Sequence, residues 1–170
     1  MENQNKPEVN RPYLIFVLLL MLVLPSISII IEYVIIGKQV SLIELSGKWF
    51  IFWAIGLRLF IAGVRQAIKP SFTAETIFHI TNKESFVIVK ELGFANICLG
   101  SIGIISLFLP DWRIVSAFAG GLFMGIAGIN HILKKPVGLN EWIAMSSDIF
   151  IAVVILTYTL FHFYVAHANS

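Results

Sequence analysis

Residues 13–31 read YLIFVLLLMLVLPSISIII and contain no charged side chain. The hydrocarbon core of a bilayer is about 30 Å thick, and an α-helix that rises about 1.5 Å per residue crosses it in about 20 residues. This stretch is long and apolar enough to cross, and we expect Pro25 to kink the helix. Because the apolar run exceeds the core of a secretory signal peptide, we predict a helix that the mature protein retains.

Four further segments are long and apolar enough to span a bilayer: Trp49–Ile68, Phe86–Leu109, Ile114–Leu133 and Trp142–Phe161. The 170-residue chain is 58% hydrophobic and 13% charged, whereas soluble domains are about 45–50% apolar and about 25% charged. So few charges cannot cover a soluble domain, and nucleic-acid binding needs clustered basic residues. The composition therefore excludes a soluble enzyme and a nucleic-acid partner. We predict an all-α polytopic membrane bundle of five transmembrane helices.

The predicted layout has a cytoplasmic N-terminal segment (1–12), a first transmembrane helix (13–36) and a four-helix membrane bundle (49–166). Within the bundle, the apolar residues of segment 69–82 indicate a stretch lying in the membrane interface. Basic residues orient membrane proteins, because they concentrate in cytoplasmic loops. Counting them predicts a protein of the cell (inner) membrane with its N-terminus in the cytoplasm and its C-terminus outside. The predicted inner residues are Lys6, Arg11, Lys69, Lys83, Lys90, Lys134 and Lys135, and the outer ones are Lys38, Lys48 and Arg113.

The second and fourth spans contain similar sequences. IAGVRQAIKP at 61–70 aligns with IAGINHILKKP at 126–136 with one extra lysine, and Glu75 and Ile77 then align with Glu141 and Ile143. The two spans run in the same direction, which is typical of a parallel duplication. We interpret spans two to five as two copies of a helix pair, to which the first span is an addition.

These motifs also resemble a known family. RLFIAG at 58–63, followed by Lys69 and Pro70, resembles the opening helix of DoxX-like membrane proteins. ELGFAN at 91–96, followed by Leu99 and Gly100, is similar to the second helix of that family. The resemblance implies a four-helix bundle, relatives among bacterial multi-pass proteins without an assigned activity, and a quinone as one ligand. The extra first helix and the interfacial segment depart from the DoxX pattern.

Small residues form stripes on two of the spans. The third span carries Gly93, Gly100 and Gly103 on one face together with Asn96, and the fourth carries Gly121, Gly125 and Gly128. Such stripes let helix backbones approach closely within a membrane. We predict that spans three and four pack tightly against each other. A slot for a flat ligand beside the glycines is the alternative.

Polar side chains are concentrated in the predicted cytoplasmic half. A charge inside a membrane is costly, so it normally faces the protein interior and has a partner. We predict that Arg58 pairs with Asp148 and that Arg65 is the better partner for Glu91. The sequence thus predicts a polar pocket open toward the cytoplasm, whose members are Arg58, Arg65, Glu91, Asn96, Asn130, His131 and Asp148.

We expect this pocket to bind a lipophilic or anionic small molecule, such as a quinone or a membrane lipid. The arginines would attract its oxygen, and Glu91, His131 and Asp148 would govern protonation, because histidine titrates near neutral pH. The protein would then be the membrane subunit of a redox system or a homo-oligomer.

Two alternatives stay open: a proton- or ion-coupled transporter that acts as an oligomer, and a structural scaffold. Known catalytic motifs are missing, which leaves enzymatic activity undecided. His79, His131, Glu91 and Asp148 are metal-ligand types, but no spacing fixes their geometry, and we predict no metal.

Overall fold

The computed structural model describes residues 10–36, 40–136 and 138–168. It is an all-α bundle of five helices, each long and apolar enough to span a membrane. The predicted fold class and number of helices are therefore confirmed. The helices are α1 (Arg11–Ile36), α2 (Leu42–Ile68), α3 (Ser85–Ile105), α4 (Trp112–Lys134) and α5 (Leu139–Ala168).

The helices alternate in direction along the chain. We call the end at which α1, α3 and α5 begin, and α2 and α4 end, the proximal end; the opposite end is distal. Most of the predicted N-terminal segment lies outside the described residues, but Asn10 caps α1 by accepting from the Tyr13 N–H. Its own N–H donates to Asn140 Oδ1 at 2.9 Å, which ties the starts of α1 and α5 together.

The second helix begins earlier than hydropathy predicted, at Leu42 instead of Trp49. The Ser41 hydroxyl caps it by accepting from the Ile43 N–H. Lys48 ended the apolar stretch in the sequence, yet in the structure its ammonium pairs with Glu32 of α1 at 2.6 Å. Glu32 also accepts from the Trp49 indole. A charge with a partner on the neighbouring helix does not end the helix.

Two of the helices contain wide, π-helical turns. In α1 the turn Leu19–Val23 precedes Pro25. Proline has no N–H to donate and its ring crowds the preceding turn, so the irregularity expected at Pro25 takes the form of a π turn. In α2 the turn Ile51–Leu57 ends at Arg58.

The glycines show which helices are neighbours. A Cβ added at Gly103 of α3 would lie 2.6 Å from the Gly56 Cα of α2, and one added at Gly93 would lie 2.8 Å from the Gly63 carbonyl oxygen. Gly100 likewise contacts the backbone of Phe60. The third span thus packs its glycines on α2.

The fourth span packs its small residues on α5. Added Cβ atoms at Gly121 and Gly128 would lie within 2.7 Å of Ile155 and 2.6 Å of Ile149, respectively. Gly125 faces α5 with more room. The prediction that spans three and four pack on each other through these stripes was wrong. A stripe identifies the face that packs closely, but it does not identify the neighbour.

The resulting pairs, α2 with α3 and α4 with α5, are the two helix pairs that the internal repeat predicts. Gly56 and Gly63 of α2 align with Gly121 and Gly128 of α4 and have the same role. In the distal half the pairs pack together around a continuous apolar core that includes Ile51, Ile55, Ile151 and Ile155.

The chain between α2 and α3, residues 69–84, is here called the crossing segment. It contains one short π-helical stretch, Phe72–Ile77, followed by residues in bends and turns. Thr73, Ala74 and Ile77 are buried, whereas Phe78 and Ile80 are exposed. The predicted interfacial segment thus folds partly into the proximal end of the bundle.

Candidate functional site

A cavity of about 400 Å³ lies in the proximal half of the bundle. All five helices and the crossing segment contribute to its wall, and it separates the α2–α3 pair from the α4–α5 pair. Its volume is within the range of small-molecule sites. Apolar side chains form most of the wall, among them Phe16, Leu59, Phe72, Ile77, Phe123 and Met124.

Arg58 of α2 is buried at the inner wall of this cavity. Its Nη2 donates to Asp148 Oδ1 of α5 at 2.8 Å and to the Ser147 hydroxyl at 3.0 Å. Its Nη1 lies 3.3 Å from the Met124 sulfur of α4. The predicted Arg58–Asp148 ion pair is therefore confirmed. It connects the two helix pairs across the cavity wall.

Arg65 lies two turns further along α2, nearer the proximal end. Its guanidinium carbon is 3.7 Å from the centroid of the Phe72 ring in the crossing segment, a cation–π contact. The Phe72 ring in turn lies 6.0 Å from the ring of Tyr13. Arg65 thus faces the cavity at the crossing segment, whereas its expected partner Glu91 is exposed on α3.

Asn96 of α3 and Gln66 of α2 form a buried amide pair on the cavity wall. Asn96 Nδ2 donates to Gln66 Oε1 at 2.8 Å. Asn96 Oδ1 is also buried and has no hydrogen-bond partner. Buried polar atoms are almost always paired, so this oxygen is an unusual feature of the wall.

His131 is the fourth polar group, at the proximal end of α4. Its Nδ1 lies 3.3 Å from Glu141 Oε1 of α5. The other carboxylate oxygen of Glu141 lies 4.0 Å from Nε2 of His79, in the crossing segment. His131 lines the cavity, and Glu141, buried behind it, fixes its position.

The structure brings together five of the seven predicted pocket residues: Arg58, Arg65, Asn96, His131 and Asp148 line the cavity. Glu91 and Asn130 are exposed and lie outside its lining.

Sequence reasoning missed Tyr13, Gln66 and Thr73 of the lining, and Glu141 behind it. A signal existed for two of these. The repeat aligns Gln66 with His131, and Glu141 lies on the same face of α5 as Asp148.

The chemistry of the cavity combines a largely apolar wall with a few polar side chains. Two arginines and one aspartate line it, so one positive charge is in excess. Guanidinium groups donate strongly to carboxylate, phosphate and carbonyl oxygens. Among the described residues, no three His, Cys, Asp or Glu side chains are grouped so that they could hold a metal ion. The arrangement suits an apolar molecule that carries an oxygen acceptor.

Comparison with known proteins does not assign a family. A scan against protein-family models, a search of curated proteins and a search of solved structures each found no match to this chain.

Proposed function

We propose that this protein is a membrane-embedded binding protein that holds a lipophilic small molecule in the proximal cavity. The molecule has an apolar body and a carbonyl or anionic oxygen, as a quinone or a lipid has. The observation that carries the proposal is the cavity itself, which sets Arg65 and the Arg58–Asp148 pair into a largely apolar wall.

The positions of the charges support this ligand class. Arg58 is already neutralised by Asp148, so the pair presents a dipole and not a free charge. Arg65 supplies the excess positive charge, and Phe72 and Tyr13 beside it supply flat apolar surfaces. A ligand oxygen at Arg65 would gain a charge-assisted hydrogen bond while the rest of the molecule displaces water from apolar walls.

Extraction of the purified protein tests the proposal. Organic extracts analysed by mass spectrometry should contain one lipophilic oxygen-bearing compound in about one copy per chain. Ala127→Phe fills the cavity without changing its charges, and it should lose the compound. Ala95→Phe, at an exposed position on α3, should retain it. Extracts with no such compound, or equal amounts in both variants, would contradict the proposal.

We infer the location and orientation of the protein in the membrane from the distribution of its basic residues. We place it in the cell (inner) membrane with the proximal end and the N-terminus in the cytoplasm, because basic residues are concentrated at that end. The resemblance to DoxX-like proteins supports a quinone as the ligand and a redox partner as the neighbour in the membrane. Copurification of a second polypeptide would support the redox-subunit form of this proposal.

Two buried pairs of titratable groups support a second candidate, a proton- or ion-coupled transporter. Arg58 with Asp148 and His131 with Glu141 form two buried pairs on the cavity side of the bundle, as proton relays do. Transport needs a path through the bundle, and in the distal half the apolar core closes it. A path therefore requires an oligomer. Uptake into sealed proteoliposomes that a protonophore abolishes would favour this candidate over the binding protein.

A further inference from the structure

The exposed residues of the lining show where the proximal cavity opens. Among the described residues, α3, α4 and α5 contribute only buried or half-buried side chains to the lining. The exposed members lie on α1, on α2 and in the crossing segment, namely Pro12, Ile61, Arg65 and Phe78. A side chain that lines a cavity and is also exposed lies at its rim. The cavity therefore opens between α1 and α2, beside the crossing segment.

The course of α1 explains this opening. In the distal half α1 binds α2, because the Trp53 indole donates to the Ser28 hydroxyl at 3.0 Å. At the proximal end α1 binds α5 instead, through Asn10 and Asn140. The first helix thus crosses from α2 to α5, and the cavity lies in the space that it leaves beside the proximal half of α2.

The rim presents an apolar and a charged group at different depths. Ile61 is 41% exposed and lies seven residues, or about 10 Å, from the proximal end of α2. Arg65 lies three residues, or about 5 Å, from the same end. In a bilayer these are the depths of acyl chains and of the region next to the headgroups, which a long arginine side chain reaches.

An anionic headgroup matches the charge at this rim. Asp148 already neutralises Arg58 at the inner wall, so the excess positive charge of the lining belongs to Arg65. A guanidinium forms strong charge-assisted hydrogen bonds with phosphate oxygens.

We propose that the cavity opens sideways into the bilayer between α1 and α2 and binds an anionic phospholipid, whose phosphate contacts Arg65 while one acyl chain enters the cavity. The inference rests on the proposed function, and it narrows the ligand from lipophilic molecules in general to acidic membrane lipids. The acyl chain displaces water from apolar walls formed by Phe16, Leu59 and Phe123.

Photo-crosslinking lipids test the opening directly. The full chain is reconstituted in nanodiscs of phosphatidylglycerol with a diazirine halfway along one acyl chain, and adducts are mapped by mass spectrometry after irradiation. We expect adducts at Leu59 and Met124, which line the cavity and are 4% and 1% exposed. Ile51 and Ile155 are equally buried in the distal core and should carry none.

A matched pair of variants locates the opening. Ile61→Trp narrows the rim and should lose most of the adducts at Leu59 and Met124. Ile68→Trp makes the same change at an exposed position of α2 outside the lining, and it should retain them.

A change of headgroup tests the role of Arg65. Phosphatidylcholine with the same diazirine chain should give about two- to fivefold fewer adducts inside the cavity, the effect of one partly exposed ion pair. Arg65→Gln should abolish this preference, whereas Arg11→Gln, an exposed arginine outside the lining, should keep it.

Wild-type protein without adducts at Leu59 and Met124 would overturn the lateral opening. Equal labelling by the two lipids, or a preference that survives in Arg65→Gln, would overturn the headgroup contact. The extraction experiment reports separately on the proposed function. A compound recovered there without adducts inside the cavity would overturn the opening alone, whereas extracts without any such compound would overturn the binding function.

Discussion

A guanidinium inside an apolar bundle is tolerated when both its charge and its donors are matched. Arg58 meets both conditions. Asp148 balances its charge, and the Ser147 hydroxyl oxygen and the Met124 sulfur accept further hydrogen bonds from its N–H groups. Ser147 is itself fixed by donating its hydroxyl proton to the Ala144 carbonyl at 2.7 Å. The pair thus holds α2 and α5 together across the cavity wall.

Removing both members of this pair should destabilise the protein by less than the two single removals added together. Asp148→Asn and Arg58→Gln each strand the partner charge in a buried site, at a cost of about 3–5 kcal/mol in the free energy of unfolding. The double variant leaves no charge stranded, so its loss should be smaller than the sum of the two single losses. Thermal unfolding in detergent measures all three, with exposed Glu91→Gln as a control that should not shift Tm. Strictly additive losses would show that the charges do not interact.

The two residues misplaced by sequence reasoning were misplaced by rotation about the helix axis. Each residue turns an α-helix by about 100°. Glu91 precedes Asn96 by five positions, so it points about 140° away from the face of α3 that carries Asn96. Asn130 is adjacent to His131 and points about 100° away from it. The depth of Glu91 and Asn130 along their helices was predictable from the sequence. Their rotation about the helix axis follows from the 3.6-residue period, which turns both side chains away from the pocket.

At the scale of the helices, glycines without a Cβ allow neighbouring helices to approach closely. A Cβ at Gly100 would meet backbone atoms of Phe60 and would lie 2.7 Å from the Gly56 carbonyl oxygen. Backbone atoms cannot move aside as a flexible side chain does. A Cβ at Gly125 would meet only the Ala152 Cβ at 3.6 Å, an ordinary contact.

The variants Gly100→Ala and Gly125→Ala should therefore change Tm in opposite directions or by different amounts, although the chemical change is identical. Gly100→Ala forces α2 and α3 apart, and overpacking of this kind costs about 1–3 kcal/mol. Gly125→Ala adds a methyl group in available space and favours the helix by up to about 1 kcal/mol. We expect a lower Tm for Gly100→Ala and an unchanged or higher Tm for Gly125→Ala in the same detergent. Equal shifts would mean that α2 and α3 are not in contact at Gly100.

Hydropathy was sufficient to predict the all-α fold class and the number of spanning helices. A spanning helix satisfies its backbone hydrogen bonds internally, so it needs only sufficient length and an apolar surface. Hydropathy could not place the start of α2. Lys48 and Trp49 are held by Glu32 of another helix, and such a contact depends on tertiary packing. The crossing segment was likewise predicted as a short apolar stretch, but its burial against Arg65 and Tyr13 depends on the assembled bundle.

At the scale of the whole molecule, the two helix pairs and the cavity belong together. Within the α2–α3 pair the glycines bring backbone against backbone, and within the α4–α5 pair they seat side chains of α5 such as Ile149 and Ile155, whereas the two pairs meet each other largely through side chains. In the distal half these are apolar, and in the proximal half they surround the cavity and include the Arg58–Asp148 bridge. The cavity thus lies at the interface of the two helix pairs. Differences between the aligned segments of α2 and α4, such as Gln66 against His131, make that interface asymmetric.

The orientation of this cleft in the membrane is set by the basic residues at the two ends. Arg11, Lys69, Lys83, Lys90, Lys134 and Lys135 lie at the proximal end, Lys48 and Arg113 lie at the distal end, and Lys6 and Lys38 lie outside the described residues. Basic residues near span ends are retained in the cytoplasm. We therefore expect the proximal end, and with it the cavity, to face the cytoplasm.

Cysteine labelling tests this orientation at two exposed positions. In a Cys98→Ala background, needed because Cys98 is exposed, Asn82→Cys places a thiol in the crossing segment and Asp111→Cys places one in the turn between α3 and α4. An impermeant thiol reagent applied to intact cells should label Asp111→Cys and leave Asn82→Cys unlabelled until the membrane is permeabilised. The reverse pattern would place the cavity on the outer side. Its ligand would then arrive from outside the cell, and a cytoplasmic redox partner could not reach it.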